Sequence, residues 1–290
     1  MGQPDKNYRL PERIELTGPW PFISRQVLMW SDGKRSVRYS RHHRKGLRER
    51  DPGEVVKWLR CLWMPGKLNW WIGVVFSLGA LCFMLGSIAV LTPSIAREWA
   101  LKANSVTGIF FVGSIPFTIA AYLQLFQAAN AGPFTAQGKS TPRSVVIIGW
   151  LPQQIGWLSC ALQFVGTLLF NINTFDAMLP GMNWLQQDLA IWAPDFTGSI
   201  LFLASGYLAF IETSHAHWSW QPISLSWWVA FINLLGCLAF MISAIFAFVP
   251  PSAPGFDAAS VSVVFTLIGG ACFFTGSLLM LPETIIAESD

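Results

Sequence analysis

Before residue 67 the chain carries no long apolar run; after it, such runs follow one another with short polar breaks. Six are long enough to cross about 30 Å of hydrocarbon at about 1.5 Å per residue. They cover Trp70–Leu91, Val106–Ala129, a stretch within Val145–Asn171, Phe196–Ile211, Leu225–Val249 and Ala258–Leu281, the fourth being short for a span. A lone apolar run in lipid has to satisfy its own backbone hydrogen bonds, so each run predicts a helix. The short alternating strands of a membrane barrel are absent from the pattern. The expected fold is an all-α membrane protein of six transmembrane helices.

The runs echo one another. "GSIPFTIAAYLQ" at 113–124 returns as "GSILFLASGYLA" at 198–209 and, more worn, as "GGACFFTGSLLM" at 269–280. In each, a small residue is followed four positions later by an aromatic ring: Gly113 and Phe117, Gly198 and Phe202, Gly269 and Phe273. The preceding helices echo too: Trp71, Gly79 and Phe83 share the spacing of Trp228, Gly236 and Phe240, while Trp157, Gly166 and Phe170 differ by one residue. Because each unit crosses twice, the prediction is three parallel two-helix repeats, at 68–131, 145–213 and 222–284, behind an arm at 1–67. Small residues let helix backbones approach and leave a notch for a ring, so the Gly/Phe motif is expected to be a helix-packing seam.

Composition supports this class. Of 290 residues, 53% are hydrophobic and 12% charged, about half the charged share of a soluble domain. Charge then divides the chain: 15 of the 19 Lys and Arg lie in residues 1–69. The arm and the loop with Lys139 and Arg143 hold 17 basic residues on one side, against Arg97 and Lys102 on the other. Basic flanks mark the cytoplasmic face, so both termini are expected there, in a bacterial inner membrane. The loop "NTFDAMLPGMNWLQQDLAIWAPDF" is expected to lie partly along the opposite interface.

In the arm, Asp32-Gly33 between "QVLMW" and "RSVRYS" predicts a β-hairpin, and "GEVVKWLRCLWMPGKLNWW" an interfacial helix broken at Pro65-Gly66. Arg35, Arg38, Arg41, Arg44, Lys45 and Arg48 form a basic cluster beside the membrane, for which anionic phospholipid headgroups are the simplest partners. No recognised nucleic-acid motif accompanies it. A protein partner or a homo-oligomer stays open.

Gln127, Glu212 and Glu283 occupy equivalent places at the arm-side ends of the three second helices. Ionisable groups at membrane depth often mark ion or proton paths. The three form a candidate polar ring that binds a cation or relays a proton; the plainer expectation is that they reach water or pair with bases of the arm. Gln153, Gln154, Gln163 and Asn233 read as polar groups inside spans. His215 and His217 in "ETSHAHW" are the weak metal candidates, without an evident fourth ligand. The five Cys have no CxxC spacing and read as small apolar residues.

The helix "FVGSIPFTIAAYLQLFQAAN", preceded by "LNWWIGVVFSLGALCF", resembles the YrhK-like family of bacterial membrane domains. The first hairpin carries the likeness best, 196–212 only in part, and the last departs further, with Gly270 and Leu278 at the Ser and Tyr positions. The resemblance implies membrane location and supplies no catalytic residue. The carrier-type Pro-x-acid-x-x-base signature is absent from the odd-numbered helices. No phosphate loop or nucleophile motif is present, and no cofactor is expected. A small ion or solute transporter or channel is the leading reading; a non-catalytic scaffold or accessory subunit is the rival, with an intramembrane enzyme behind both.

Overall fold

A computed structural model describes residues 11–47, 58–98, 100, 103–132, 134, 144–249 and 257–285. The described residues are mostly helical, 69%. A three-stranded antiparallel sheet opens the chain: β1 (Arg13–Thr17), β2 (Arg25–Met29) and β3 (Arg35–Tyr39), in the order β1-β2-β3. The expected hairpin is β2–β3. Gly33 turns it with φ +78°, a region that a Cβ disfavours. β1 is an addition that the sequence reading missed, its five residues having no turn pair to flag them. A short helix, α1 (Ser40–Lys45), follows directly, ending at Gly46 with φ +60°. The expected interfacial helix lies partly outside the described residues; its described part is a single tight turn, Trp58–Leu62.

Among the described residues the body contains six helices long and apolar enough to cross a membrane. These are α2 (Leu68–Leu91), α4 (Ala103–Asn130), α5 (Ile155–Asp176), the run from α6 (Trp184–Gln187) into α7 (Ala193–Ser214), α8 (Leu225–Phe246) and α9 (Ala258–Glu283). A short α3 (Pro93–Glu98) lies between α2 and α4. Two spans differ from expectation, and the third also runs past Asn171 to Asp176. The third span begins only at Ile155, because Gly149 takes a left-handed turn and Pro152 cannot donate to a helix ladder; Gln153 and Gln154 therefore precede it. The fourth is longer, since α6 and α7 join through a wider π turn at Asp188–Trp192. Asn183 caps α6 reciprocally with Gln186.

The six helices form a closed ring in chain order. α2 packs on α4, α4 on α5, α5 on α7, α7 on α8, α8 on α9, and α9 returns to α2. Apolar side chains such as Leu78, Val112, Ile119, Val165, Ile200 and Leu235 stay exposed, the surface a lipid-facing bundle requires.

Within each hairpin the same reciprocal seam recurs. A Cβ added at Gly79 would lie 2.5 Å from the Phe117 ring and 2.8 Å from the Gly113 carbonyl; one at Gly113 would meet Cys82 and Phe83. Gly166 faces Phe202 and Gly198 faces Phe170; Gly236 faces Phe273 and Gly269 faces Phe240. Each first helix thus offers a glycine to the partner's phenylalanine and seats its own ring against the partner's glycine.

The tryptophan register is simpler than the spacing of Trp71 and Trp228 suggested. Trp70, Trp157 and Trp227 stand nine residues before Gly79, Gly166 and Gly236. All three are buried, and each donates its indole N–H to a carbonyl of the preceding segment: Cys61 at 2.9 Å, Ile148 at 3.1 Å and Ser219 at 3.1 Å. Trp71 and Trp228 are the neighbouring, outer rings, bonded to the Pro65 and Pro222 carbonyls. The apparent one-residue slip came from aligning the wrong member of two Trp-Trp pairs.

Candidate functional site

The six seam phenylalanines meet at the centre of the ring. Phe83, Phe170 and Phe240 come from the first helices and Phe117, Phe202 and Phe273 from the second, all buried. Within hairpins the ring centroids are 5.3, 4.8 and 5.2 Å apart; between hairpins, Phe83–Phe240, Phe170–Phe240, Phe117–Phe273 and Phe202–Phe273 lie at 5.7–5.9 Å. These are favourable offset and edge contacts, and together they form two layers of rings across the axis.

A cavity lies on each side of these layers. The one at the arm end, about 60 Å³, is lined by residues of all six helices and of α1. Gln124, Gln163 and Asn233 bring amides to it, and Ser159, Ser205 and Ser277 hydroxyls. The one at the far end, about 170 Å³, also takes residues from all six, including Phe83, Phe170, Phe240, Thr107, Asp195 and Thr266. Asn173 donates to the Asp195 carboxylate there at 2.8 Å. Walls contributed by every helix put both cavities on the ring axis.

α1 closes the arm end. Its sequence, Ser-Arg-His-His-Arg-Lys, sets Ser40 beside Arg44 and Arg41 beside Lys45, four residues apart on one helix. The first pair serves one carboxylate: Ser40 Oγ donates to Glu212 at 2.8 Å, and Arg44 reaches it through Nε at 3.2 Å and Nη2 at 2.8 Å. The second pair serves the other: Arg41 donates to Glu283 from Nε and Nη2, both at 3.0 Å, and Lys45 Nζ at 2.6 Å. The Gln127 amide donates to the Lys45 backbone carbonyl at 3.4 Å. All three members of the candidate polar ring therefore hold α1. The plainer role, pairing with bases of the arm, is the arrangement seen, and Glu212 and Glu283 are almost wholly buried.

Burial of such charges is tolerable only with close partners. Burial works against the Arg44 guanidinium, but the Glu212 carboxylate outweighs it and holds the Arg44 pKa above its ordinary value. Lys45 goes the other way. Burial and then the Arg41 guanidinium push its ammonium down to about 7, against the pull of Glu283, which it shares with Arg41.

The basic cluster is thus divided. Arg41, Arg44 and Lys45, assigned to headgroups from the sequence, are withdrawn into buried ion pairs, because their lengths match two carboxylates that the apolar body cannot otherwise satisfy. Arg35 is exposed. Arg38 donates to Gln26 and lies over the Phe134 ring. Arg48 lies outside the described residues.

His215 and His217 serve different neighbours. His215 bonds Ser24 Oγ at 2.8 Å and stacks on Tyr39, which ties the sheet to the end of α7; His217 bonds the Tyr207 hydroxyl. Among the described residues no group of three His, Cys, Asp or Glu is placed to hold a metal.

Sequence reasoning allowed for pairing with bases of the arm but assigned Arg41, Arg44 and Lys45 to headgroups, and so missed which bases pair and the charged wall they give the arm-end cavity. No family model, curated protein or solved structure matches the chain, so the likeness to the YrhK-like family rests on the quoted residues alone.

Proposed function

We propose that the protein is a small-solute or ion passage of the bacterial inner membrane, shut by a phenylalanine constriction and by its own arm. The observation that carries this reading is the pair of cavities on one axis, each walled by all six helices, with two layers of rings between them. Hydrophobic constrictions of this kind gate by excluding water. The excess of basic residues on the arm side supports a cytoplasmic arm and cytoplasmic chain ends. The shared Trp, Gly and Phe register supports an origin of the three hairpins in one repeated unit, the first of them YrhK-like.

Reconstitution into liposomes tests the reading. The intact chain is expected to pass little of a panel of small ions, and Phe202→Ala with Phe273→Ala to raise flux at least tenfold. If neither leaks above empty vesicles, the passage reading fails. The alternative is a scaffold, for which the buried ion lock supplies the argument: it fixes the arm rigidly enough to present β1–β3 to a protein partner. Co-purification of a stoichiometric partner, lost when the sheet is deleted, is its signature.

A further inference from the structure

We infer that the arm-end cavity binds one small monovalent anion, of chloride or nitrate size, against Arg44 and the amides of Gln124, Gln163 and Asn233. The inference deepens the passage reading by naming a substrate class, and it starts from a charge count. Among the described residues the arm end sets three bases, the buried Arg41 and Lys45 and the nearly buried Arg44, against two buried carboxylates, Glu212 and Glu283. With all three bases protonated one positive charge is left over; a bound anion meets it, and without one Lys45, pushed down to about 7, can shed its proton instead. The load on Lys45, which shares Glu283 with Arg41, is the local sign of that excess.

Donor geometry points the same way. Arg44 spends Nε and Nη2 on Glu212, but its Nη1 reaches only the Cys160 sulfur, at 3.8 Å, although the side chain is 9% exposed. Sulfur is a weak acceptor for a guanidinium. Arg44 and Cys160 both line the cavity, so this underused donor sits at its wall. Gln124, Gln163 and Asn233, from three different helices, add neutral amides to the wall, Asn233 already giving one N–H to the Val229 carbonyl at 2.7 Å and keeping a second. The volume of about 60 Å³ is that of a few water positions at roughly 10–15 Å³ each. It suits a halide or a planar monovalent oxyanion. The far cavity differs, with Asp195 and hydroxyl groups on its wall and no basic side chain.

The test is equilibrium dialysis of the purified full chain in detergent against labelled chloride, with gluconate holding ionic strength constant. Saturable binding of one chloride per chain, displaced by nitrate, is expected. Gln163→Glu places a carboxylate in the cavity while leaving both ion-paired acids intact, and should weaken chloride binding at least tenfold. Arg44→Lys, which keeps the charge but loses the Nη1 donor, should weaken it severalfold. If Gln163→Glu does not fold, the isosteric Asn233→Asp carries the same arm of the test. Absence of saturable chloride binding by the intact chain overturns the inference, and so does unchanged binding in a folded carboxylate variant. Flux in liposomes separates this from the passage reading: chloride binding without flux in any constriction variant keeps the anion site and discards the passage. Cation flux without chloride binding does the reverse.

Discussion

The seams at mid-bundle and the mouth at the arm end use the same three hairpins in opposite ways. In the seams, Gly79–Phe117, Gly166–Phe202 and Gly236–Phe273 repeat one contact three times. At the mouth, the equivalent positions are Gln127, Glu212 and Glu283. The difference follows from what each region must fit. A seam joins two helices of the same hairpin, so one geometric answer serves all three. The mouth receives a single helix that has no threefold symmetry. The side chains of α1 carry positive charge and face Glu212 and Glu283, while its carboxyl end presents a bare carbonyl with the negative end of the helix dipole. An amide donor suits that place and a carboxylate does not, which is a physical reason for Gln at 127.

The largest effect expected from breaking this comparison is at Glu283. Glu283→Gln leaves Arg41 and Lys45 buried without their shared carboxylate, a loss on the order of 3–5 kcal/mol. Hydrogen exchange should show α1 released while the seams stay protected. A seam lesion is the converse. In Gly79→Ala the new methyl would crowd the Phe117 ring and the Gly113 carbonyl, and the backbone oxygen has little freedom to yield. A cost of about 1–3 kcal/mol is expected, read as a lower thermal midpoint with α1 still docked.

An effect of comparable size, spread over several pH units, concerns Lys45. Docking holds Lys45 at about 7, whereas a free arm leaves it near the ordinary value of about 10.4. Between those values the docked state binds fewer protons, so docking strengthens as pH rises from about 7 toward 10, by at most about 1.4 kcal/mol per pH unit. Below pH 7 the dependence from this group is flat. A distance label between β2 and α7 should report tighter docking at pH 9 than at pH 7; Lys45→Met should remove the difference. The smallest change is Gln127→Glu, expected to weaken docking by about 1 kcal/mol through a lost donor and an unfavourable dipole contact. An equal or stronger lock in that variant would contradict the account of why the three positions differ.

Much of the fold was readable because lipid enforces simple rules. Apolar length gave the spans, and the recurrence of Gly and Phe four residues apart gave the seams. Gln127, Glu212 and Glu283 stood out as polar groups ending apolar helices. Other features were hidden for identifiable reasons. The six residues of α1 have no apolar stripe, so their charge read as a lipid-facing surface. Their destination was nonetheless encoded: Ser40 with Arg44 and Arg41 with Lys45 are two four-residue pairs, and the body offers two otherwise unmatched carboxylates. The axial cavities could not be read at all, because they depend on how six helices close around a ring. Gln163 and Asn233, which looked like interhelical hydrogen-bond formers, line one of them. The π turn at Asp188–Trp192 joined two segments that polarity had separated, with Asp188 buried and accepting from the Val249 N–H.

The ion lock also imposes an order on biogenesis. Arg41 and Glu283 are separated by 242 positions, and the ribosome delivers the base long before the acid. The arm must therefore stay open through insertion of every hairpin and can seat only when the final helix has arrived. A nascent chain halted before that point keeps Arg41 and Lys45 without the carboxylate they share, so the seated arm marks a finished ring.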